Sequence, residues 1–161
     1  VKPTRQLLLA HPAHFISLGF GSGLAPRAPG TFGTLAALPI FWLGHATGGA
    51  GAVLVLALIA FAAGMWSVTQ TSRALGVADH SGIVIDEIAA FLLVLAVAPF
   101  SLVWTVFAFA LFRLFDIWKP WPISVADAHI KGAFGVMFDD LLAALYAIGV
   151  ILLVQSLLIT R

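Results

Sequence analysis

The sequence has no cysteine and little charge of either sign: 9% of its 161 residues are Asp, Glu, Lys or Arg. Without thiols there can be no disulfides, thiolate nucleophiles or zinc–thiolate sites. A formal net charge of +1 leaves no basic surface of the kind nucleic acid requires. A soluble domain carries about a quarter charged residues, so this chain falls far outside that class. What replaces charge is apolar sequence. Hydrophobic residues make up 61% of the chain, and mean hydropathy is +1.09. Nothing ionises firmly between Arg27 and Arg73, between Glu87 and Arg113, or between Asp140 and Arg161. Runs of that length hold membrane spans of about 20 residues each. The expected fold class is an all-α integral membrane protein, folded as one domain over residues 1–161 with no separate soluble part.

No internal repeat or low-complexity linker is visible; Gly and Pro divide the chain. Residues 1–18 carry a short apolar patch with no small-residue cleavage site behind it. They are expected to form an interfacial helix lying along the membrane rather than a secretory signal, with the core at 19–159. The stretch GFGSGLAPRAPGTFG (19–33) is too rich in breakers to be regular and is expected as a loop. TLAALPIFWLGHA opens a first span, with Thr31 placed to cap it. TGGAG (47–51) turns the chain into a second span at 52–68, and a polar connection follows at 72–82. Spans three (83–98) and four (101–117) are separated by a turn at PFS. A second polar loop covers 119–135, and a fifth span runs from MFDDLLAALYAIGV to about residue 159. About five short transmembrane helices are therefore expected.

Five crossings put 1–31, 72–87 and 113–140 on one side. All seven acidic residues and seven of the eight basic ones then share that side. Lys and Arg enrichment marks the cytoplasmic face. The rival topology, one kinked span over 88–112 with Pro99 at its middle, would scatter the charge over both faces. The hairpin is preferred, at the cost of two spans of about 16 residues, roughly 24 Å long against a hydrocarbon core of about 30 Å. Short spans hold their charged ends at headgroup depth.

The acidic residues are grouped. Asp86 and Glu87 sit side by side at the start of span three, and Asp139 and Asp140 repeat the pattern in span five. Asp116 follows Arg113 by three residues, on the same helix face. Acids in a first helical turn can simply answer the helix dipole, but adjacent pairs in membrane segments are costly and mark function. A carboxylate cluster without Cys suits a hard divalent ion such as Mg²⁺, which takes one or two carboxylates, waters and phosphate oxygens. Asp86, Glu87, Asp139 and Asp140 are the expected metal ligands. The loop GSGLAPRAPGTFGTL (21–35) reads either as a tight turn or as an anion cradle. It leads into a helix N-terminus, where free N–H groups favour an anion, and Arg27 offers a planar fork. A nucleotide P-loop is absent. Lys119 is either a phosphate contact or a snorkelling side chain, and snorkelling also covers Lys131. Trp118 and Trp121 read as interfacial belt residues. His11, His14, His45 and His129 carry little weight; His80, beside Asp79, is a possible proton-transfer group or ligand. Motifs for phosphocysteine, phosphoaspartate and phosphohistidine chemistry are missing. Metal-assisted attack of water on a phosphate ester is what remains.

Four blocks, GSGLAPRAPGTFGTLAALP, HSGIVIDEIAAF, FRLFDIWKPWPI and GAFGVMFDDLLAA, together resemble the bacterial phosphatidylglycerophosphatase A family in order and spacing. They cover about residues 19–145; the first 18 residues and the tail beyond 145 match no usable pattern. The resemblance implies a Mg²⁺-dependent hydrolase of phosphatidylglycerol phosphate at the bacterial inner membrane, yielding phosphatidylglycerol. On that reading the partner is a phospholipid in the bilayer, and oligomeric state is left open. The expected catalytic set is Asp86, Glu87, Asp116, Asp139, Asp140 and Arg113. Phosphate binding is expected from Arg27, Gly30, Thr31 and Lys119. Two other classes compete: a small ion- or proton-coupled transporter, and a non-catalytic lipid-binding subunit. A transporter calls for polar residues through the full membrane depth, whereas the outer halves of spans two, three and five are built mainly of Leu, Val, Ile and Ala, with no matching polar ladder.

Overall fold

A computed structural model describes residues 3–159, whose regular secondary structure is helical, with no strand among the described residues. Two short helices, α1 (Arg5–Ala10) and α2 (Pro12–Ser17), precede a 3₁₀ stretch at Gly19–Leu24. Then come α3 (Pro29–Leu75), α4 (Ile85–Val97), α5 (Leu102–Trp118), α6 (Ile123–His129) and α7 (Gly132–Ile159).

α3 is not one rod. Gly48 (φ −157°) and Gly49 (φ 64°, ψ −154°) leave helical geometry, and the positive φ at Gly49 is a conformation glycine adopts without penalty. The chain folds back there: a Cβ on Gly44 would lie 2.6 Å from Leu56 and 3.4 Å from Val53. In a straight helix residues 44 and 53 would stand about 13 Å apart. Two antiparallel limbs result, 29–47 and 50–75. α4 stops where Ala98 turns extended ahead of Pro99, as the residue before proline tends to do. Ser101 then caps α5, accepting from the Trp104 N–H at 3.2 Å. Spans three and four are therefore a hairpin and not one kinked helix, since Arg113 returns to within 3.8 Å of Glu87.

The bundle has two poles. At one, the His45 ring stacks on Phe100 at 3.8 Å and Phe41 packs beside it, so the two tight turns meet. At the other lie Gly30, Glu87, Arg113 and Asp140. α4 is the axis, with Ile88, Phe91, Leu92, Val94 and Leu95 all buried. Large apolar side chains cover the outside instead, among them Leu43, Leu58, Val103, Leu153 and Ile159. Soluble monomers do not expose apolar surface on this scale. α3 and α7 are long and apolar enough to cross a membrane, and only 28% and 22% of their most apolar windows are buried within the protein. This is a membrane protein.

Several sequence expectations change. The N-terminal segment is two helices broken at His11, and α2 packs into the bundle rather than lying on its surface: His14 and Ser17 are buried. His14 Nδ1 lies 2.8 Å and Ser17 Oγ 2.6 Å from the Thr71 hydroxyl, a polar anchor that apolar patterning does not reveal. The first span begins at Pro29, with Ala28 (φ 49°) at the cap position and no side-chain cap bond. Thr31 is inside the helix and does not cap it. The second polar loop contains α6, and α7 begins at Gly132, ahead of the expected start.

Candidate functional site

The carboxylates reach the polar pole on three separate helices. Asp86 and Glu87 occupy the first turn of α4, where the positive end of the helix dipole favours them. Arg113 and Asp116 come from the last turns of α5, and Lys119 caps that helix in a left-handed conformation (φ 46°). Asp139 and Asp140 lie two turns into α7 and are buried. Together with Ala28–Gly30 and the Asp79–Ser81 connection they surround a cavity of about 270 Å³.

Pairing inside the cavity is uneven. Arg113 is hydrogen-bonded to Asp116 and lies 3.8 Å from Glu87. Lys119 holds Asp139 at 2.5 Å and Asp127 at 2.9 Å. Burial alone would lower the Lys119 pKa, but these two carboxylates outweigh it and push the ammonium well above its ordinary range. Asp86 and Asp140 have no cation partner among the described residues, and Glu87 has only the long contact to Arg113. One oxygen each of Asp86, Glu87 and Asp140 lies within 4.8 Å of the other two. Asp86 Oδ1, Glu87 Oε2 and Asp140 Oδ2 are buried with no hydrogen-bond partner. Buried carboxylates without a partner are expensive, and three that converge repel one another. An all-oxygen donor set of this kind fits a hard divalent cation.

Gly30 has a role the sequence did not suggest. A Cβ there would collide with Glu87 Oε1 and stand 3.2 and 3.3 Å from the two terminal nitrogens of Arg113. Glycine lets the start of α3 press against the carboxylate cluster. Arg27 and Thr31, expected as phosphate contacts, stand apart from the cavity. Arg27 is exposed and does not line the cavity. Thr31 is also off the cavity wall, and its N–H is already bonded to the Ala28 carbonyl at 3.0 Å. Asp139 lines the cavity but stands outside the convergent trio, held by Lys119. His80 lines the cavity as well, its Nδ1 accepting the Gly82 N–H at 2.9 Å, which leaves Nε2 for other contacts.

A profile of the family described as Phosphatidylglycerophosphatase A matches residues 15–155. The chain belongs to the phosphatidylglycerophosphatase A family. It is 40% identical over 154 residues to a Haemophilus influenzae protein named Phosphatidylglycerophosphatase A, covering 95% of this chain and 94% of that one. To the Escherichia coli protein of the same name it is 36% identical over 147 residues, covering 91% and 85%. No solved structure matches. All the cavity residues named above fall inside the family match, since the wall runs from Ala28 to Asp140. Sequence reasoning missed Asp127, the second partner of Lys119, and Asp79 and Ser81 on the wall. Asp127 lies eight residues from Lys119 across a break between helices, so no helical register linked them.

Proposed function

We propose that this protein is a lipid phosphatase that hydrolyses the terminal phosphomonoester of phosphatidylglycerol phosphate, releasing phosphatidylglycerol and inorganic phosphate. The observation that carries this reading is the convergence of Asp86, Glu87 and Asp140, each with one buried oxygen that has no hydrogen-bond partner, beside Arg113 and Lys119, in a chain of this family. We place five crossings in the inner membrane: the two limbs of α3, then α4, α5 and α7. α4 has 13 residues, about 20 Å of helix, which is short of the hydrocarbon core and holds its acidic end at headgroup depth. The carboxylate pole faces the cytoplasm, because the Lys and Arg residues gather there.

Asp86, Glu87 and Asp140 would hold Mg²⁺, with Asp139 at the edge of the set. The ion, when bound, offsets the charge of the trio and stabilises negative charge developing on the phosphoryl oxygens. Arg113 and Lys119 bind the phosphate oxygens; Arg113 supplies a planar fork and Lys119 a point charge. As the phosphate draws these cations, it loosens their hold on Asp116 and Asp139. One of these carboxylates then accepts a proton from the attacking water. The water oxygen forms its bond to phosphorus, the bond from phosphorus to the glycerol oxygen breaks, and that oxygen leaves protonated. His80, on the same wall, donates that proton.

The test is phosphate release from phosphatidylglycerol phosphate by the purified protein, with and without EDTA. Release that stops with chelation and returns with Mg²⁺ is expected. Transport without hydrolysis, or lipid binding without phosphate release, would reject this function.

A further inference from the structure

A second cavity, of about 190 Å³, has no charged residue on its wall. It opens where the second limb of α3 meets α4 and α7, and it is walled by Ala57, Phe61, Ala90, Leu93, Met137 and Leu141. Small residues make it concave: Ala57 and Ala90 are almost fully buried and leave the space a larger side chain would fill.

Helix register ties this groove to the carboxylates. On α4, Asp86, Ala90 and Leu93 follow at i, i+4 and i+7, along one face. Ala90 and Leu93 thus sit about 6 and 10 Å further along the axis from Asp86, towards the bilayer centre. On α7, Met137 stands one turn before Leu141, and the two bracket Asp139 and Asp140 in sequence. The limb of α3 is fixed at the same level: a Cβ on Gly64 would lie 2.6 Å from Met137 and 3.5 Å from Ile85. Phe61 and Ala57 are therefore one and two turns deeper than Gly64. At the outer edge Leu58 is 62% exposed, so the groove opens sideways to the lipid.

We infer that this groove seats one acyl chain of the phospholipid whose terminal phosphate occupies the polar cavity. The inference rests on the lipid-phosphatase reading above. At about 190 Å³ the groove cannot take in a turn of a partner helix, about 10 Å across with its side chains, and its apolar wall offers a headgroup nothing to bond. A hydrocarbon chain is the occupant with the right size and chemistry. Leaving one apolar surrounding for another gives little hydrophobic drive. What the groove contributes is position: a seated chain limits where the phosphate of the same molecule can lie, and alignment is worth large factors in rate.

Filling the groove tests this. Ala90→Leu and Ala57→Leu are assayed as purified full chains in detergent micelles, on dipalmitoyl and on dibutanoyl phosphatidylglycerol phosphate. At least a tenfold fall in kcat/KM is expected on the long-chain lipid, with the short-chain lipid within twofold of wild type. Equal losses on both lipids in a folded variant, or no loss on either, would overturn the proposal. The unaltered protein gives a second measurement that needs no variant to fold. A long-chain substrate carrying a diazirine in one acyl chain is expected to crosslink within 57–61, 90–93 and 137–141. Crosslinks spread instead over outer-surface positions such as Val103 and Leu153 would overturn it as well. Wild-type protein that releases no phosphate from either lipid defeats the underlying lipid-phosphatase reading too. Normal hydrolysis without chain-length discrimination defeats the groove alone.

Discussion

Replacing Gly30 by alanine adds one methyl group at the tightest point of the site. Its φ is not positive, so alanine fits the backbone, and near a helix start the change gains up to about 1 kcal/mol of helix propensity. The steric effect works against that gain. The new Cβ overlaps Glu87 Oε1 and sits 3.2 and 3.3 Å from the Arg113 terminal nitrogens. Normal contact distances for carbon are about 3.5–4 Å, so Glu87 must retreat by about 1 Å or α3 must tilt away. Overpacking of this kind costs about 1–3 kcal/mol, which leaves net destabilisation near 0–2 kcal/mol, too little to unfold the bundle. Displacement of a reacting group by about 1 Å costs on the order of 100-fold in rate. Phosphate release by Gly30→Ala is therefore expected to fall about 100-fold while thermal unfolding stays close to wild type. Turnover within threefold of wild type would refute the close approach of α3 to Glu87 and Arg113, and with it the geometry assigned to the cavity.

Three further outcomes follow from the same contacts. Asp140→Asn removes one of three mutually repelling carboxylates, an interaction of a few kcal/mol at an effective dielectric of about 20. Its Tm in EDTA is expected to match or exceed that of wild type, while the rise that Mg²⁺ gives the wild type disappears along with activity; a variant that still gains stability from Mg²⁺ would remove Asp140 from the ion site. Asp127→Ala deletes the outer partner of Lys119, whose side chain is 43% exposed against 9% for Asp139. A pair that exposed contributes about 0–1 kcal/mol, so activity should drop less than tenfold, and a 100-fold loss would show that the outer pairing positions Lys119. Thr71→Val leaves His14 and Ser17 without their shared partner, at about 1–3 kcal/mol, and hydrogen exchange over residues 12–17 should accelerate. Burial, followed by the charge of nearby His11, lowers the His14 pKa below its usual 6.5. With the folded value depressed, docking of α2 is fully stable above about pH 6.5 and weakens as pH falls through the lower folded value. Exchange that is independent of pH in that window, after correction for intrinsic rates, would contradict the anchor.

Much of the cavity wall was legible because its acids stand out from the apolar sequence around them. Asp86 with Glu87, and Asp139 with Asp140, interrupt apolar runs, and the expense of acids in such places makes them conspicuous. Arg113 and Asp116 were linked by helical spacing. The loop before α3 was read less well. A Gly-rich segment ahead of a helix suggests free N–H groups, but the left-handed turn at Ala28 consumes the Thr31 N–H and leaves Arg27 exposed. Gly30 serves through the side chain it lacks, and that depends on what lies opposite.

Composition and the order of apolar runs by themselves determined a helical membrane protein with its charge gathered at one end, because burying unpaired polar groups in hydrocarbon is too costly to allow another arrangement. Tertiary structure decided which carboxylates meet. Lys119 claims Asp139 and Arg113 claims Asp116, which leaves Asp86, Glu87 and Asp140 to converge, each with a buried oxygen that has no hydrogen-bond partner. The reason is geometric: a linear chain shows which residues carry charge, but distances of a few ångströms between side chains on separate helices decide which charges neutralise one another.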